Sequence, residues 1–182
     1  MSSWIDPPEQ AELRLLIAFV DLTRFSAQSR KLSDLAIAAV IDAMYRRVEQ
    51  VIGAAGGRVV KFIGDASLIV FAEAAVDRGV EALIALKEEL DRDLEGRGWD
   101  CRAMVKIHVG TAVAGPFGAA GRFDVLGNDV NTAASLHSPG VALSVEAFRK
   151  MSPELRRRFK KHTPPVTYIR CEDPRPFRYF AR

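Results

Sequence analysis

The sequence predicts an α+β fold with a ferredoxin-like βαββαβ core and additional C-terminal elements. Three observations carry that prediction. Hydrophobic periodicity runs in the order strand, helix, strand, strand, helix, strand. A Gly-Asp pair at positions 64 and 65 separates two β-branched runs, as hairpin turns do. Long segments with helical spacing stand on either side of that hairpin. Residues 15 to 20, LLIAFV, are short and continuously apolar, the pattern of a buried strand. From Ser33, an N-cap residue, SDLAIAAVIDAMYRRVEQVIGAAGG keeps apolar residues at helical spacing and stops at Gly56-Gly57. A hairpin over 58 to 71 follows, then a second helix over roughly 74 to 94 whose charged run KEELDRDLE is expected to face solvent. The segment GRGWD ends that helix. Residues 102 to 113, RAMVKIHVGTAV, alternate as a strand, and GPFGAAGRFDVLG returns as a loop or second hairpin arm. Asn128 is the expected cap of a short helix, DVNTAASLH, closed by Pro139-Gly140, and the Pro-rich tail after Thr163 reads as a closing strand with an irregular end. No internal repeat is evident. Residues 1–13 read as an N-terminal extension and 14–182 as one domain.

Composition narrows the function classes. A chain of 182 residues with 48% hydrophobic content is long enough to build one real core. No run of eighteen apolar residues occurs, and the N-terminus lacks the charged, apolar, small-residue order of a signal peptide, so the expectation is a soluble, cytoplasmic protein with no membrane segment. Cys101 and Cys171 are too few for a disulfide framework and lack metal-ligand spacing, so zinc is not indicated. The formal charge is +3, and the basic run RRRFKK at 156 to 161 reads as a solvated face in preference to a nucleic-acid site. Trp4 and Trp99, beside Pro and Gly, are expected at the surface, with no platform of interleaved aromatic and basic residues for single-stranded nucleic acid. His108 falls mid-strand as a core or interface residue, and His137 falls where a helix C-terminus would take a cation. The length leaves no room for a sensor domain of ordinary size beside the core.

Two aspartates concentrate the chemistry. Asp21 ends the apolar run LLIAFVD, and Asp65 lies in the turn of VVKFIGDASLIVF. Each carboxylate sits where a strand runs out into a loop, so the fold can bring the pair together around divalent cations. Magnesium prefers one or two protein carboxylates plus substrate phosphate oxygens, and two such ions clamp the attacking and leaving oxygens of an in-line displacement. A purely local reading stays open, with Asp65 a turn residue and Asp21 a strand-end cap.

Four segments in register resemble the catalytic domain of class III nucleotidyl cyclases, the family of adenylate and guanylate cyclases. They are FVDLTRFS, GGRVVKFIGDASLIVF, the strand ending in HVGTAVAG, and RFDVLGNDVNTAASL, and the match spans roughly residues 14 to 151. The resemblance implies that Asp21 and Asp65 hold two Mg²⁺ or Mn²⁺ ions and that the substrate is a purine nucleoside triphosphate. The ribose 3′-oxygen then attacks the α-phosphorus and pyrophosphate leaves. Lys61 and Asp124 match the positions that read the base. Lysine only donates and ionised aspartate only accepts, which suits the acceptor ring nitrogen and amino donor of adenine, whereas guanine presents the reverse order, so ATP is favoured over GTP. Asn131 matches the asparagine that orients the ribose. Family catalytic domains pair head to tail with sites in the interface, implying a homodimer, or a heterodimer with another cyclase domain.

The chain departs from that pattern twice. Ser135 stands where an arginine normally neutralises charge developing on the α-phosphate, and removing one such donor costs about 100- to 1000-fold in rate. Arg24 stands where the family usually has glycine, and its guanidinium is assigned to the polyphosphate by the bidentate preference of arginine for phosphate oxygens. The main expectation is therefore an adenylate cyclase. The alternative is a catalytically weak or inactive cyclase-like regulatory domain that binds nucleotide or a partner domain. Lys160 and Lys161 are left outside the site.

Overall fold

A computed structural model describes residues 7–137, 140–163 and 165–171. Strand β1 (Ala11–Leu22) begins inside the predicted N-terminal extension and carries the LLIAFV run at its centre. A short helix α1 (Phe25–Ser29) and the long helix α2 (Asp34–Ala54) follow. The hairpin is β2 (Arg58–Ile63) and β3 (Ala66–Ala72). A 3₁₀ turn at Glu73–Ala75 leads into α3 (Val76–Gly96), and β4 (Ala103–Phe117) and β5 (Arg122–Leu126) form a second hairpin. Helix α4 (Asn128–Ser135), β6 (Val141–Leu143), α5 (Val145–Lys150), α6 (Pro153–Arg156), β7 (Phe159–His162) and β8 (Thr167–Arg170) complete the described chain.

One sheet runs in the order β2-β3-β1-β4-β6-β8-β7, with β5 paired to β4. The elements β1, α2, β2, β3, α3 and β4 form the predicted βαββαβ core, and its strands are antiparallel neighbours throughout. β6 adds in parallel to β4, and the β7–β8 pair extends the sheet beyond it. Alternation along β1 explains the layering. Leu16, Ala18, Val20 and Leu22 join the main core, where Met44, Val48 and Ile52 of α2 and Val80, Leu83 and Leu90 of α3 pack. Leu15 and Ile17 face the other way, into a smaller cluster with Leu68, Val70, Ala112, Val125 and Ala133. With both faces covered, an uninterrupted apolar run is what this strand requires.

Helix ends follow local chemistry. Ser33 caps α2 by accepting from the Ala36 N–H at 3.3 Å. At the other end Gly56 adopts φ +75°, and Gly57 donates its N–H to Ile52 O at 2.9 Å. Gly57 also has no room for a side chain, because a Cβ there would lie 2.5 Å from the Phe71 ring.

Five expectations change. Trp99 is buried in the main core, with its ring centroid 6.2 Å from that of Phe25, because the turn closed by Trp99 N–H to Leu94 O folds the indole inward. The charged run of α3 is not uniformly solvated, since Lys87 is buried and bonded to Asp91 at 2.7 Å. Asp91 in turn accepts from the Ala103 N–H at 2.7 Å, so this pair staples α3 to the start of β4. Helix α4 is capped by Gly127 rather than Asn128, which forms its first turn. The cation at its C-terminal end is Lys106 of β4, donating to Ala134 O at 2.8 Å, and His137 lies past the helix. Strand β4 also outruns its predicted end at Val113, because β5 pairs with it from Val113 to Phe117, past Ala114, where its pairing with β1 ends. Trp4, Pro139 and the tail beyond Cys171 fall outside the described residues. No helix among the described residues is long and apolar enough to cross a membrane.

Gly57→Ala is expected to destabilise by about 1–3 kcal/mol through overpacking against Phe71. Gly53→Ala, at a helical site with nothing within 4 Å of the added carbon, is expected to stabilise by about 0.5–1 kcal/mol. Thermal unfolding of the two variants should move in opposite directions, and a shift of the same sign in both would contradict this account of the α2 terminus.

Candidate active site

Asp21 lies one residue beyond Val20, which pairs with Ser67 of β3, while Ile63 pairs with Ala66 to close the β2–β3 turn. The register thus sets the Gly64-Asp65 turn beside the end of β1, and the Asp65 and Asp21 carboxylates meet. Gly64 takes φ +61°, the conformation a tight turn demands here. Tyr45 of α2 fixes the turn from behind, donating its hydroxyl to Gly64 O at 2.6 Å while its ring stacks on Phe62 with centroids 3.7 Å apart. Burial, then the Asp65 charge, pushes the Tyr45 hydroxyl above its ordinary pKa, so it remains a donor.

The Asp65 carboxyl is itself held above the usual carboxylate range. Burial is the main cause, and the Asp21 carboxylate adds to it through charge and a shared hydrogen bond, while the backbone N–H groups of Asp65 and Leu22 pull it partly back. Two carboxylates crowded together at the edge of a low-dielectric core are strained as a bare pair and relieved by a divalent cation. The residues present therefore fit the implied ions. Among the described residues no cluster of three or more His, Cys, Asp or Glu side chains suits a metal. A two-carboxylate site matches the habit of magnesium, which completes its shell with water and phosphate oxygens.

The loop after Asp21 is tied down by Thr23, whose N–H donates to Arg102 O at 2.9 Å and whose Oγ1 accepts from Arg102 N–H at 2.9 Å. Arg24 then adopts φ +55° and pairs with the exposed Asp100 carboxylate. A left-handed non-glycine residue costs about 1–3 kcal/mol, which is the physical reason a glycine suits this position. Cys101, nearby and buried, has its thiol pushed up, first by burial and then by Asp100 and Asp65, so it stays protonated and is no thiolate ligand.

Lys61 and Asp124 meet as well, Nζ to Oδ2 at 2.7 Å, joining β2 to β5. Strict alternation would put Lys61 on the same face as Val59, toward the helices. The pairing shifts between Val59 and Lys61, however, so Lys61 stands opposite Leu68 and faces the smaller cluster. A bulge re-aims the side chain. Arg58, with its guanidinium 3.4 Å above the Phe123 ring centroid, lines the same edge.

Asn131 lies exposed on α4, and four residues on Ser135 is exposed too, its hydroxyl donating to Thr132 O at 3.0 Å. Helix α4 is docked by Asp129, which accepts from Thr111 N–H at 2.7 Å and lies 3.4 Å from Nε2 of the buried His108. The other ring nitrogen of His108 is 2.8 Å from Ser144 Oγ. This docking needs Gly110, where a Cβ would come 2.1 Å from the Asp129 carboxylate. The structure thus unites Asp21 with Asp65 and Lys61 with Asp124, and puts Asn131 on a helix pinned to β4. Lys160 and Lys161 lie on β7, at the far margin of the described sheet. Sequence reasoning passed over Tyr45, Lys106, His108 and Asp129 as parts of this machinery, since each acts through a contact distant along the chain.

A model of the adenylate and guanylate cyclase catalytic domain matches residues 9–166. An adenylate cyclase of Anabaena cylindrica is 27% identical over 133 residues, covering 68% of this chain and 26% of that protein. An adenylate cyclase of Streptomyces coelicolor is 31% identical over 135 residues, covering 73% of this chain and 32% of that protein. The chain thus spans about a quarter to a third of the length of these curated relatives. The crystal structure of the adenylyl cyclase CyaB from P. aeruginosa superposes with a TM-score of 0.78 over 93% of this chain and 99% of that one, at 18% identity, a likeness of fold.

A raised carboxyl pKa means that the folded state binds the proton more tightly than the unfolded chain. The resulting stabilisation is complete below the ordinary carboxylate pKa, near 4, and is lost as pH rises through the higher folded value. In metal-free protein at neutral pH, Asp65→Asn is expected to raise the unfolding midpoint, and added Mn²⁺ to raise that of the wild type alone. A lowered midpoint in the variant, with no effect of Mn²⁺ on either protein, would identify Asp65 as a turn residue only.

Proposed function

The chain belongs to the family of adenylate and guanylate cyclase catalytic domains, and from that premise we propose that it is an adenylate cyclase converting ATP to 3′,5′-cyclic AMP and pyrophosphate. In this reaction the ribose 3′-oxygen bonds to the α-phosphorus, the bond from that phosphorus to the bridging oxygen of the β-phosphate breaks, and the 3′-hydroxyl proton passes to solvent. Asp21 and Asp65 would hold two Mg²⁺ or Mn²⁺ ions, which supply Lewis-acid polarisation of the phosphate oxygens when bound. Tyr45 and the Thr23 contacts keep the two carboxylates in place. Lys61 and Asp124 receive the adenine edge, Asn131 orients the ribose, and Arg24 exchanges Asp100 for the polyphosphate. Most of the acceleration on this account is positioning and charge neutralisation.

The observation that carries the adenylate reading is the 2.7 Å contact between Lys61 and Asp124. It sets a donor beside an acceptor on one accessible edge, the complement of adenine's neighbouring acceptor and donor. The site is proposed to assemble between two copies of the chain, the carboxylate pair of one facing Lys61, Asp124 and Asn131 of the other. Ile63, two residues after Lys61, and Leu126, two after Asp124, are exposed large apolar side chains flanking this contact and support a partner there. The second reading, a weak or inactive regulatory domain, is favoured by Ser135, a neutral residue where charge must be stabilised.

Purified protein given ATP or GTP with Mn²⁺ is expected to make cyclic AMP and little cyclic GMP, with Asp65→Ala lowering turnover at least about 100-fold while the fold is retained. Arg24→Ala, which removes the guanidinium, is expected to lower turnover as well. Equal use of GTP would refute the base assignment, and full activity of Asp65→Ala would refute the metal assignment. Specific activity is expected to rise with protein concentration and then level off as dimers saturate. Constant specific activity at dilutions where sedimentation shows only monomer would exclude a shared site.

A further inference from the structure

Cyclisation concentrates negative charge on the α-phosphate next to the ribose, and the helix that carries Asn131 has no cation of its own. Its sequence, Asn128 to Ser135, is NDVNTAAS. Ser135 offers a neutral hydroxyl, which already donates within the helix. Among the described residues one cationic side chain is hydrogen-bonded to this helix at its Asn131–Ser135 end: Lys106, whose Nζ lies 2.8 Å from Ala134 O.

We propose that Lys106 is the α-phosphate cation of this chain, a catalytic residue supplied by β4 in place of the charge that α4 lacks. The inference rests on the cyclase reading above and deepens it.

Register and chemistry both support the assignment. Lys106 pairs with Phe19 of β1 and Met104 with Asp21, so Lys106 projects from the face of the sheet that carries the carboxylates, the face proposed to meet a second copy, and lies beside Asn131 of its own chain. Its stem is half-buried, which limits where the amine can go, and no ion pair of Lys106 occurs among the described residues. An ammonium has three donors, and the Ala134 carbonyl takes one. Two remain for a phosphate oxygen beside Ser135, on the helical face it shares with Asn131. Arg24, the other candidate, is already engaged with a carboxylate outside α4. The bond to Ala134 O also caps the helix, so the alternative role is structural, and the experiment separates the two.

Lys106→Met, Lys106→Arg and the double variant Lys106→Met/Ser135→Arg are compared with wild type in cyclic AMP formation, in calorimetric affinity for 3′-deoxy-ATP with Mn²⁺, and in thermal midpoint. Lys106→Met is expected to lower kcat by about 100- to 1000-fold with a much smaller change in KM. Lys106→Arg is expected to keep most of the turnover, and Ser135→Arg to restore at least about tenfold of what Lys106→Met loses, because the charge returns from the helix itself. Unchanged kcat in Lys106→Met would overturn the proposal. So would a loss that tracks the thermal midpoint and that Ser135→Arg does not restore, the result for a capping lysine. A wild type that makes no cyclic nucleotide would refute the reading of the previous subsection separately. Affinity for 3′-deoxy-ATP then decides for Lys106: clear weakening in Lys106→Met supports a phosphate contact, and unchanged affinity overturns it.

Discussion

The antiparallel pairing of β1 with β3 on one side and β4 on the other is the constraint on which the rest of the molecule depends. Both backbone ladders of this strand are occupied and both of its faces are buried. A slip of one residue would exchange the two apolar sets and turn Asp21 inward, so the register is strongly determined. Once it is set, the β2–β3 turn falls next to Asp21 and β4 delivers Lys106, His108 and Gly110 to the face of the sheet on which α4 packs. The two carboxylates then meet at the edge of the core, where their mutual repulsion is a property of the metal-free fold.

That register was legible because it is written in local patterns. The LLIAFV run, the Gly-Asp turn and the Ser33 cap each have a local physical cause, and each element appears where that cause puts it. The pairing of Asp21 with Asp65 follows from the same logic, since both close strands that the topology makes neighbours. Lys61 is different. Its motif marked it, but simple alternation would have aimed it at the helices. Only the irregular pairing beside Val59 turns it toward Asp124, and a bulge leaves no composition signal in RVVKFI.

Other parts were hidden because they rest on single contacts between remote residues. Asp91 holds the Ala103 N–H, Asp129 the Thr111 N–H and Asp77 the Ser152 N–H. Each carboxylate leaves a helix to satisfy a backbone donor that the sheet cannot pair, and such a donor left bare is costly to bury. Read along the chain, these aspartates are ordinary surface charges. The same holds for Trp99, whose neighbourhood GRGWD suggests a surface position until the turn at Leu94 carries it against Phe25 of α1.

The outer strands carry a further consequence. Among the described residues the sheet begins at β2 and ends at β7, and the strand at each margin bears two basic residues: Arg58 and the Asp124-paired Lys61 on one, the exposed Lys160 and Lys161 on the other. Lengthening the sheet by adding a second copy at the β7 margin would bring like charges into neighbouring rows, a device by which β proteins avoid uncontrolled polymerisation. Charge at an outer strand disfavours open-ended growth of the sheet, whereas the association proposed above, across the face of the sheet, closes after two copies.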